Sequence, residues 1–189
     1  EKSSYCFSKG NKITVLLVEE NDVQTLIKLK QSLRDACGAG KHSIHINDTQ
    51  QETWRIASSV FNENSVHLLN NKTNDHTPKF DIFLDQYRKI VQHSNDKHDY
   101  CVDSSAVLSA YGLRDCRDLK DVPALSRDID CHNGWAHYYT VEKDELIYNP
   151  EYHFYLHGIK FASLEVVESM KLNRYEYKDR VDLELIGEL

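Results

Sequence analysis

Alternating carboxylates near the centre of the chain are the strongest candidates for chemistry. Asp128 and Asp130 are separated by one residue, and side chains two positions apart on a strand point to the same face. Such a pair suits a hard divalent cation, because Mg²⁺ takes oxygen ligands and keeps several waters for a phosphate partner. The spacing therefore indicates a Mg²⁺- or Mn²⁺-assisted reaction on a phosphorylated substrate, with Asp128 or Asp130 as metal ligand or catalytic base.

Two arginines just before this pair could supply the positive charge that a phosphorylated substrate requires. Arg114 and Arg117 alternate with Asp115, Asp118 and Asp121. A guanidinium binds phosphate oxygens through paired hydrogen bonds, so both arginines are candidate phosphate ligands. The competing interpretation is a charged surface loop, in which these groups form only weak exposed ion pairs.

The segment that precedes these charges must position them. Asp103-Ser104-Ser105 predicts a small turn, and the apolar run that follows is closed by Tyr111-Gly112, which predicts a short helix. We therefore expect a turn and a helix over residues 102–112, beside the site.

A small turn, an apolar helix ending in Tyr-Gly, an arginine and an acidic motif together resemble the nucleotidyltransferase fold. The resemblance covers residues 101–189 and is closest to the minimal and toxin-type nucleotidyltransferases. DNA polymerase β and the LicD and fukutin sugar-phosphate transferases are more distant members. The resemblance implies substrate contacts from Ser104 and Ser105, with Asp118 and Asp130 as metal ligands.

Two departures from the family pattern bear on the reaction. The family's turn is usually Gly-Gly or Gly-Ser, whereas this chain has Ser104-Ser105. The acidic motif is usually Asp-x-Asp, whereas Asp118 is followed by Leu119 and Lys120. A lysine 4 Å from a cation costs roughly 4 kcal/mol per unit-charge pair at an effective dielectric of 20. Asp121, Asp128 or Asp130 would then have to replace the missing carboxylate.

The resemblance extends to the C-terminal region. In toxin-type nucleotidyltransferases, a lysine-bearing helix is followed by a closing helix with a Lys/Arg-Asp-x-x-Asp pattern. The matching residues are Lys171, Arg174, Lys178, Asp179 and Asp182. The resemblance implies that the three basic residues hold phosphate. The alternative is a solvated pair of helices with ion pairs between positions i and i+4.

The first half of the chain has the pattern of a βαβ unit. Residues 12–18 are apolar on both faces, which predicts a central strand, and a helix begins near Asn21-Asp22. A second strand is predicted at 43–46. Asp48 or Thr49 is expected to cap the next helix, which buries Trp54.

The second half is predicted to add antiparallel strands to the sheet. A third short strand is expected at 66–70, and the polar loop 71–78 is the best internal boundary. An amphipathic helix follows, and after the central stretch a meander of strands is predicted at 138–141, 152–156 and 159–161. The predicted fold class is therefore α/β (α+β), a mixed sheet flanked by helices.

Length and composition favour one transferase domain. The chain has 189 residues, of which 40% are hydrophobic and 28% charged, and the interpretation is a single domain over 1–189 with halves at 1–75 and 80–189. The start at Glu1 suggests a fragment, so other domains of the same chain are expected partners. The net charge of −7 argues against general nucleic-acid binding.

The predicted compartment is cytoplasmic. The sequence contains no apolar run of 18 residues and no signal-peptide pattern. Five scattered cysteines without a C-x-x-C pair favour reduced thiols over a structural zinc site.

The favoured function is a transferase with a nucleotide-activated donor. A glycosyltransferase that moves a sugar from a nucleotide-sugar to a glycan acceptor fits best, because it requires only one metal, or only basic side chains, on the diphosphate. The first alternative is a metal-dependent nucleotidyltransferase that releases pyrophosphate, with Asp118 as a ligand. The second is a non-catalytic binding module, which Lys120 favours.

Overall fold

The computed structural model describes residues 14–38, 40–42, 44–73, 77–92, 98–116 and 136–189. Within these ranges the fold is mixed α+β and mostly helical, with eight α-helices and one two-stranded antiparallel sheet. The helices are α1 Val23–Cys37, α2 Gln50–Val60, α3 Glu63–Asn71, α4 Pro78–Gln92, α5 Ser105–Ala110, α6 Lys143–Tyr148, α7 Leu164–Arg174 and α8 Tyr177–Ile186. The strands are β1 His153–Leu156 and β2 Ile159–Ala162. None of the described helices is both long and apolar enough to cross a membrane.

The chain divides into two compact units, Glu1–Ala57 and Ser58–Leu189. In the first unit, both carboxylate oxygens of Asp22 accept backbone N–H groups at the start of α1, and Gly38 ends the helix in the left-handed conformation. Neither α1 nor α2 has a buried residue. The described parts of the predicted boundary loop, 71–73 and 77–78, lie within the second unit.

The predicted cap of α2 is confirmed. The Thr49 hydroxyl accepts the Glu52 N–H at 3.1 Å, and the Glu52 carboxylate accepts the Asp48 N–H at 3.0 Å. This reciprocal arrangement satisfies two donors that the first helical turn leaves without partners. The predicted burial of Trp54 is wrong, because its side chain is 42% exposed.

The strands of the predicted βαβ start are also wrong. The described residues 14–18 and 44–46 are not in strands, and 66–70 lie within α3. Short apolar runs do not distinguish strand from helix. At 66–70 the segment is helical because a capping residue begins a helix just before it. The Asn62 side chain accepts the Ser65 N–H at 2.7 Å, which begins α3 and places Ser65 and Leu68 on its buried side.

The core of the second unit lies around the β1–β2 hairpin. Phe154 and Phe161 face each other across the two strands, with stacked rings 5.3 Å apart. Tyr111 packs edge-on against Phe154, and Phe80 of α4 lies against Phe161. The strands predicted at 152–156 and 159–161 are thus confirmed as β1 and β2.

The strand predicted at 138–141 is wrong. Residues Ala136–Tyr138 form a 3₁₀ turn, in which the Tyr139 N–H binds the Ala136 carbonyl at 3.1 Å. The local turn satisfies a backbone group that a strand would have paired with a neighbouring strand. Leu146–Tyr148, which lies between the predicted strands 138–141 and 152–156, is part of α6.

Val102 extends the small sheet on the other side of β2. Its N–H binds the Lys160 carbonyl at 2.9 Å, and its carbonyl accepts the Ala162 N–H at 2.7 Å, which makes a parallel bridge to Phe161. The sheet therefore contains one parallel and one antiparallel contact. This bridge fixes the point at which the Asp103-Ser104-Ser105 turn begins.

Side chains from both strands bind the C-terminal end of α6. Nδ1 of His153 donates to the Leu146 carbonyl at 3.2 Å, and Lys160 Nζ donates to the Ile147 carbonyl and to the His98 carbonyl. Burial lowers the pKa of His153 to about 4, although the bond to Leu146 raises it, and the charge of Lys160 lowers it further. The buried imidazole is therefore neutral at pH 7.

We predict that this histidine makes the fold sensitive to acid. The unfolded imidazole binds a proton near pH 6.5, whereas the folded one does so near pH 4, so its contribution is complete above pH 6.5 and is lost as pH falls to 4. The loss amounts to about 3 kcal/mol. Urea unfolding at several pH values between 7 and 4 measures how the free energy of unfolding depends on pH. His153→Gln should remove the part of this dependence that lies between pH 6.5 and pH 4. His137→Gln, at an exposed histidine, should retain it, and equal slopes in both variants would contradict the account.

Candidate functional site

The structure describes some of the predicted site residues and not others. Arg117, Asp118, Asp128 and Asp130 lie outside the described residues. Their predicted roles as metal ligands, catalytic carboxylates and phosphate ligand therefore stay predictions. The described candidates are Ser104, Ser105, Arg114, Lys171, Arg174 and Lys178.

The turn and helix predicted over 102–112 are present. Ser104 has φ 57° and ψ −126°, and α5 begins at the next residue. At Gly112, φ is 75°, and the Leu113 N–H binds the Leu108 carbonyl to close the helix. Glycine adopts the Ser104 conformation readily, but a residue with a Cβ pays roughly 1–3 kcal/mol for it. Ser104 is thus a serine held in a strained backbone conformation.

Five charged side chains form what we call the ion-pair cluster: Arg114, Lys171, Arg174, Asp179 and Asp182. Arg114 binds Asp182 through two parallel bonds, from Nε at 2.6 Å and from Nη2 at 2.9 Å. Lys171 Nζ lies 2.8 Å from the same carboxylate and 3.4 Å from Asp179. Asp182 therefore connects the residues after α5 to the C-terminal helices.

Asp179 is the second acidic centre of the cluster. Arg174 binds it through two bonds, at 2.8 and 2.6 Å, and the Glu176 N–H donates to it at 3.0 Å. Burial raises the pKa of Asp179, but the bonds from Arg174 and Glu176 and the charge of Lys171 outweigh this effect and lower it to about 2. Asp179 thus caps α8 and binds cations of α7 with the same carboxylate.

Helical spacing explains why these residues converge. Lys171 and Arg174 are three apart on α7, and Asp179 and Asp182 are three apart on α8, so each pair lies on one face of its helix. The two faces meet in the interior, where the Lys171 side chain is only 1% exposed. The alternative of a solvated helix pair with (i, i+4) ion pairs is therefore wrong for these four residues.

Lys178 is not part of the cluster. Its side chain is 48% exposed and pairs with the Glu176 carboxylate at 3.0 Å. By contrast, the side chains of Arg114 and Arg174 are 14% and 8% exposed, respectively, at the margin of the cluster. The structure therefore groups Arg114, Lys171 and Arg174 and places Lys178 among solvated charges.

Tyr139 binds the first residue of the turn that precedes α5. Its hydroxyl donates to Asp103 Oδ2 at 2.7 Å. Burial raises the pKa of Tyr139, the charge of Asp103 and this bond raise it further, and the charge of Arg174 acts in the opposite direction. The phenol therefore stays protonated, and a single side chain interacts with the turn and with a member of the cluster.

The sequence interpretation did not include the bond between Tyr139 and Asp103 or the bond between Arg114 and Asp182. The two partners in that bond are 68 residues apart, and local patterns do not predict such pairs. One signal was present, because Asp182 lies one turn before Ile186 and both are on the buried face of α8. An aspartate in register with an apolar stripe needs a cation as its partner when it is buried.

Comparisons with known protein families, curated proteins and solved structures found no match to this chain. The resemblance to the nucleotidyltransferase fold therefore stays a prediction. Among the described residues, no group of three or more histidine, cysteine, aspartate or glutamate side chains is placed to hold a metal ion.

We predict that Lys171→Met lowers the free energy of unfolding by about 3 kcal/mol, because it leaves two buried carboxylates with too little positive charge. Lys178→Met is the matched control, since it removes a lysine from an exposed pair on the neighbouring helix. It should change the free energy of unfolding by less than about 1 kcal/mol. Urea denaturation at pH 7 measures both, and similar small losses would show that the cluster is not a buried network.

Proposed function

We propose that this chain is a transferase with a nucleotide-activated donor, and that it transfers a sugar from a nucleotide-sugar. The ion-pair cluster is the observation that supports the proposal. Among the described residues it joins three cationic side chains to two carboxylates. The Glu176 carboxylate also lies 4.0 Å from Arg174 and is balanced by Lys178, so these described groups together carry one net positive charge. A buried or half-buried excess charge favours an anionic ligand, and a diphosphate supplies that anion.

Arg114 is the member of the cluster best suited to contact the diphosphate. A guanidinium has five N–H donors. Two of them bind Asp182 and one binds the Asp115 carbonyl. When only the contacts of the described residues are counted, two N–H donors are left for a ligand. The carboxylate of Asp182 holds the planar group in one orientation. A phosphate would thus meet donors whose direction is already fixed.

Lys171 and Asp182 act through Arg114 in this proposal. The amine of Lys171 is enclosed between two carboxylates, so it balances their charge rather than reaching a ligand. Positive charge fixed beside a diphosphate stabilises the leaving group as its bond to the sugar breaks. A divalent ion, expected at Asp118 and Asp130, would add charge of the same sign when bound.

Sugar transfer is favoured over nucleotidyl transfer because of Lys120. Nucleotidyl transfer requires two close carboxylates for its metal ions, and this chain has a lysine at the position of the second. Sugar transfer requires only that the diphosphate be neutralised and that a base accept the proton of the acceptor hydroxyl. The Arg114 side of the cluster meets the first of these requirements.

Nucleotidyl transfer is the second candidate, and Ser104 is the observation that favours it. Ser104 has a strained backbone at the start of α5, and the resemblance to the nucleotidyltransferase fold implies that the family's glycine-containing turn corresponds to this segment. Strain of this kind is retained at functional sites more often than elsewhere. A serine hydroxyl placed there could bind a donor phosphate in either reaction.

The test is to incubate the chain with nucleotide-sugars and with nucleoside triphosphates, each with Mg²⁺, Mn²⁺ or EDTA. We expect release of a nucleoside diphosphate from one nucleotide-sugar. Arg114→Gln should slow that release at least tenfold, since a charged hydrogen bond contributes about 1.5–3 kcal/mol. Arg88→Gln is the matched control, because Arg88 pairs with Asp85 at 3.0 Å on the exposed surface of α4.

The products separate the candidate functions. Pyrophosphate released from a triphosphate would replace sugar transfer by nucleotidyl transfer. If neither product forms and no nucleotide raises the melting temperature, the chain is a binding module without this activity. Circular dichroism of Arg114→Gln distinguishes a lost phosphate contact from a lost fold.

A further inference from the structure

Asp103 connects a fixed part of the backbone to a strained one. On one side, Val102 is held in the sheet by hydrogen bonds of 2.9 and 2.7 Å to Lys160 and Ala162. On the other, Ser104 has a positive φ of 57° that a serine adopts only under constraint. Something near Asp103 must therefore keep the turn from relaxing.

The partner of Asp103 is itself held firmly. The Tyr139 hydroxyl donates to the Asp103 carboxylate at 2.7 Å. The backbone of the same segment is fixed to α7, because Asn173 Nδ2 donates to the Tyr138 carbonyl at 2.9 Å and the Thr140 and Ser169 hydroxyls lie 3.3 Å apart. The phenol is thus positioned by α7, the helix that also carries Lys171 and Arg174.

We propose that Tyr139 is a positioning residue, whose bond to Asp103 holds the strained Ser104 turn in place. A bond from a phenol to a carboxylate is charge-assisted and stronger than a neutral one. Without it, the turn relaxes away from the positive φ, and the Ser104 hydroxyl and the N–H groups of the turn change direction. The inference that this turn contacts the donor rests on the proposed function, whereas the mechanical link does not.

A double-mutant cycle tests the mechanical link without any ligand. Tyr139→Phe removes only the hydroxyl, and Ser104→Gly removes the strain. In the wild-type background, loss of the Tyr139–Asp103 bond lets Ser104 relax and releases its backbone strain. This release offsets part of the stability that the lost bond contributed. We therefore expect Tyr139→Phe to lower the urea midpoint less in the wild type than in the Ser104→Gly background. Additive shifts would overturn the proposal.

Backbone NMR gives a second readout that a merely structural tyrosine would not affect. The amide resonances of Ser104 and Ser105 should shift in Tyr139→Phe, because the turn loses the hydrogen bond that holds Asp103. Tyr148→Phe is the matched control, since Tyr148 donates a similar 2.8 Å bond to Asp99. Equal shifts in both tyrosine variants, or no shift in either, would contradict the link.

Binding then tests the role of the turn. Isothermal titration with inorganic pyrophosphate and with the best-stabilising nucleotide-sugar should give a dissociation constant about tenfold weaker for Tyr139→Phe, and an unchanged one for Tyr148→Phe. An unchanged affinity in Tyr139→Phe would overturn the positioning role in binding. A wild-type chain that binds neither probe would overturn the proposed function, and the cycle alone would then decide whether Tyr139 holds the turn.

Discussion

The enclosure of Lys171 between Asp179 and Asp182 is the interaction on which the C-terminal part of the second unit depends. An ion of this size without a partner costs several kcal/mol in a protein interior, so α7 and α8 must stay together for both carboxylates to keep their cations. Asp182 binds both Lys171 and Arg114, so the same constraint also holds Arg114. The same carboxylate that stabilises the helix pair thus fixes the guanidinium of Arg114 at the margin of the interior.

The small sheet fixes the other part of the candidate site, the turn that precedes α5. Val102 pairs with β2, which sets the origin of the turn at Ser104, and Tyr139 joins the turn to the segment held by α7. Strain at Ser104 and buried charge at Lys171 are both unfavourable when isolated. Each persists because the surrounding contacts compensate it, and such compensation is characteristic of binding and catalytic sites.

Local signals predicted the elements that lie closest to the site. The turn at Asp103-Ser104-Ser105 and the closure of α5 at Gly112 each depend on neighbouring residues, so sequence spacing was sufficient. The strands expected at 66–70 and 138–141 were wrong, because caps and turns outweighed short apolar runs. The bonds from Arg114 to Asp182 and from Tyr139 to Asp103 join residues far apart in sequence, and no local pattern specifies them.

We propose that the ion-pair cluster binds a phosphate group through Arg114. The most direct test follows the side-chain Nε–H resonance of Arg114 during a titration with inorganic pyrophosphate. The account predicts a saturable shift of this resonance while that of Arg88, in an exposed pair with Asp85, stays in place. No shift at Arg114, or parallel shifts at both arginines, would contradict it.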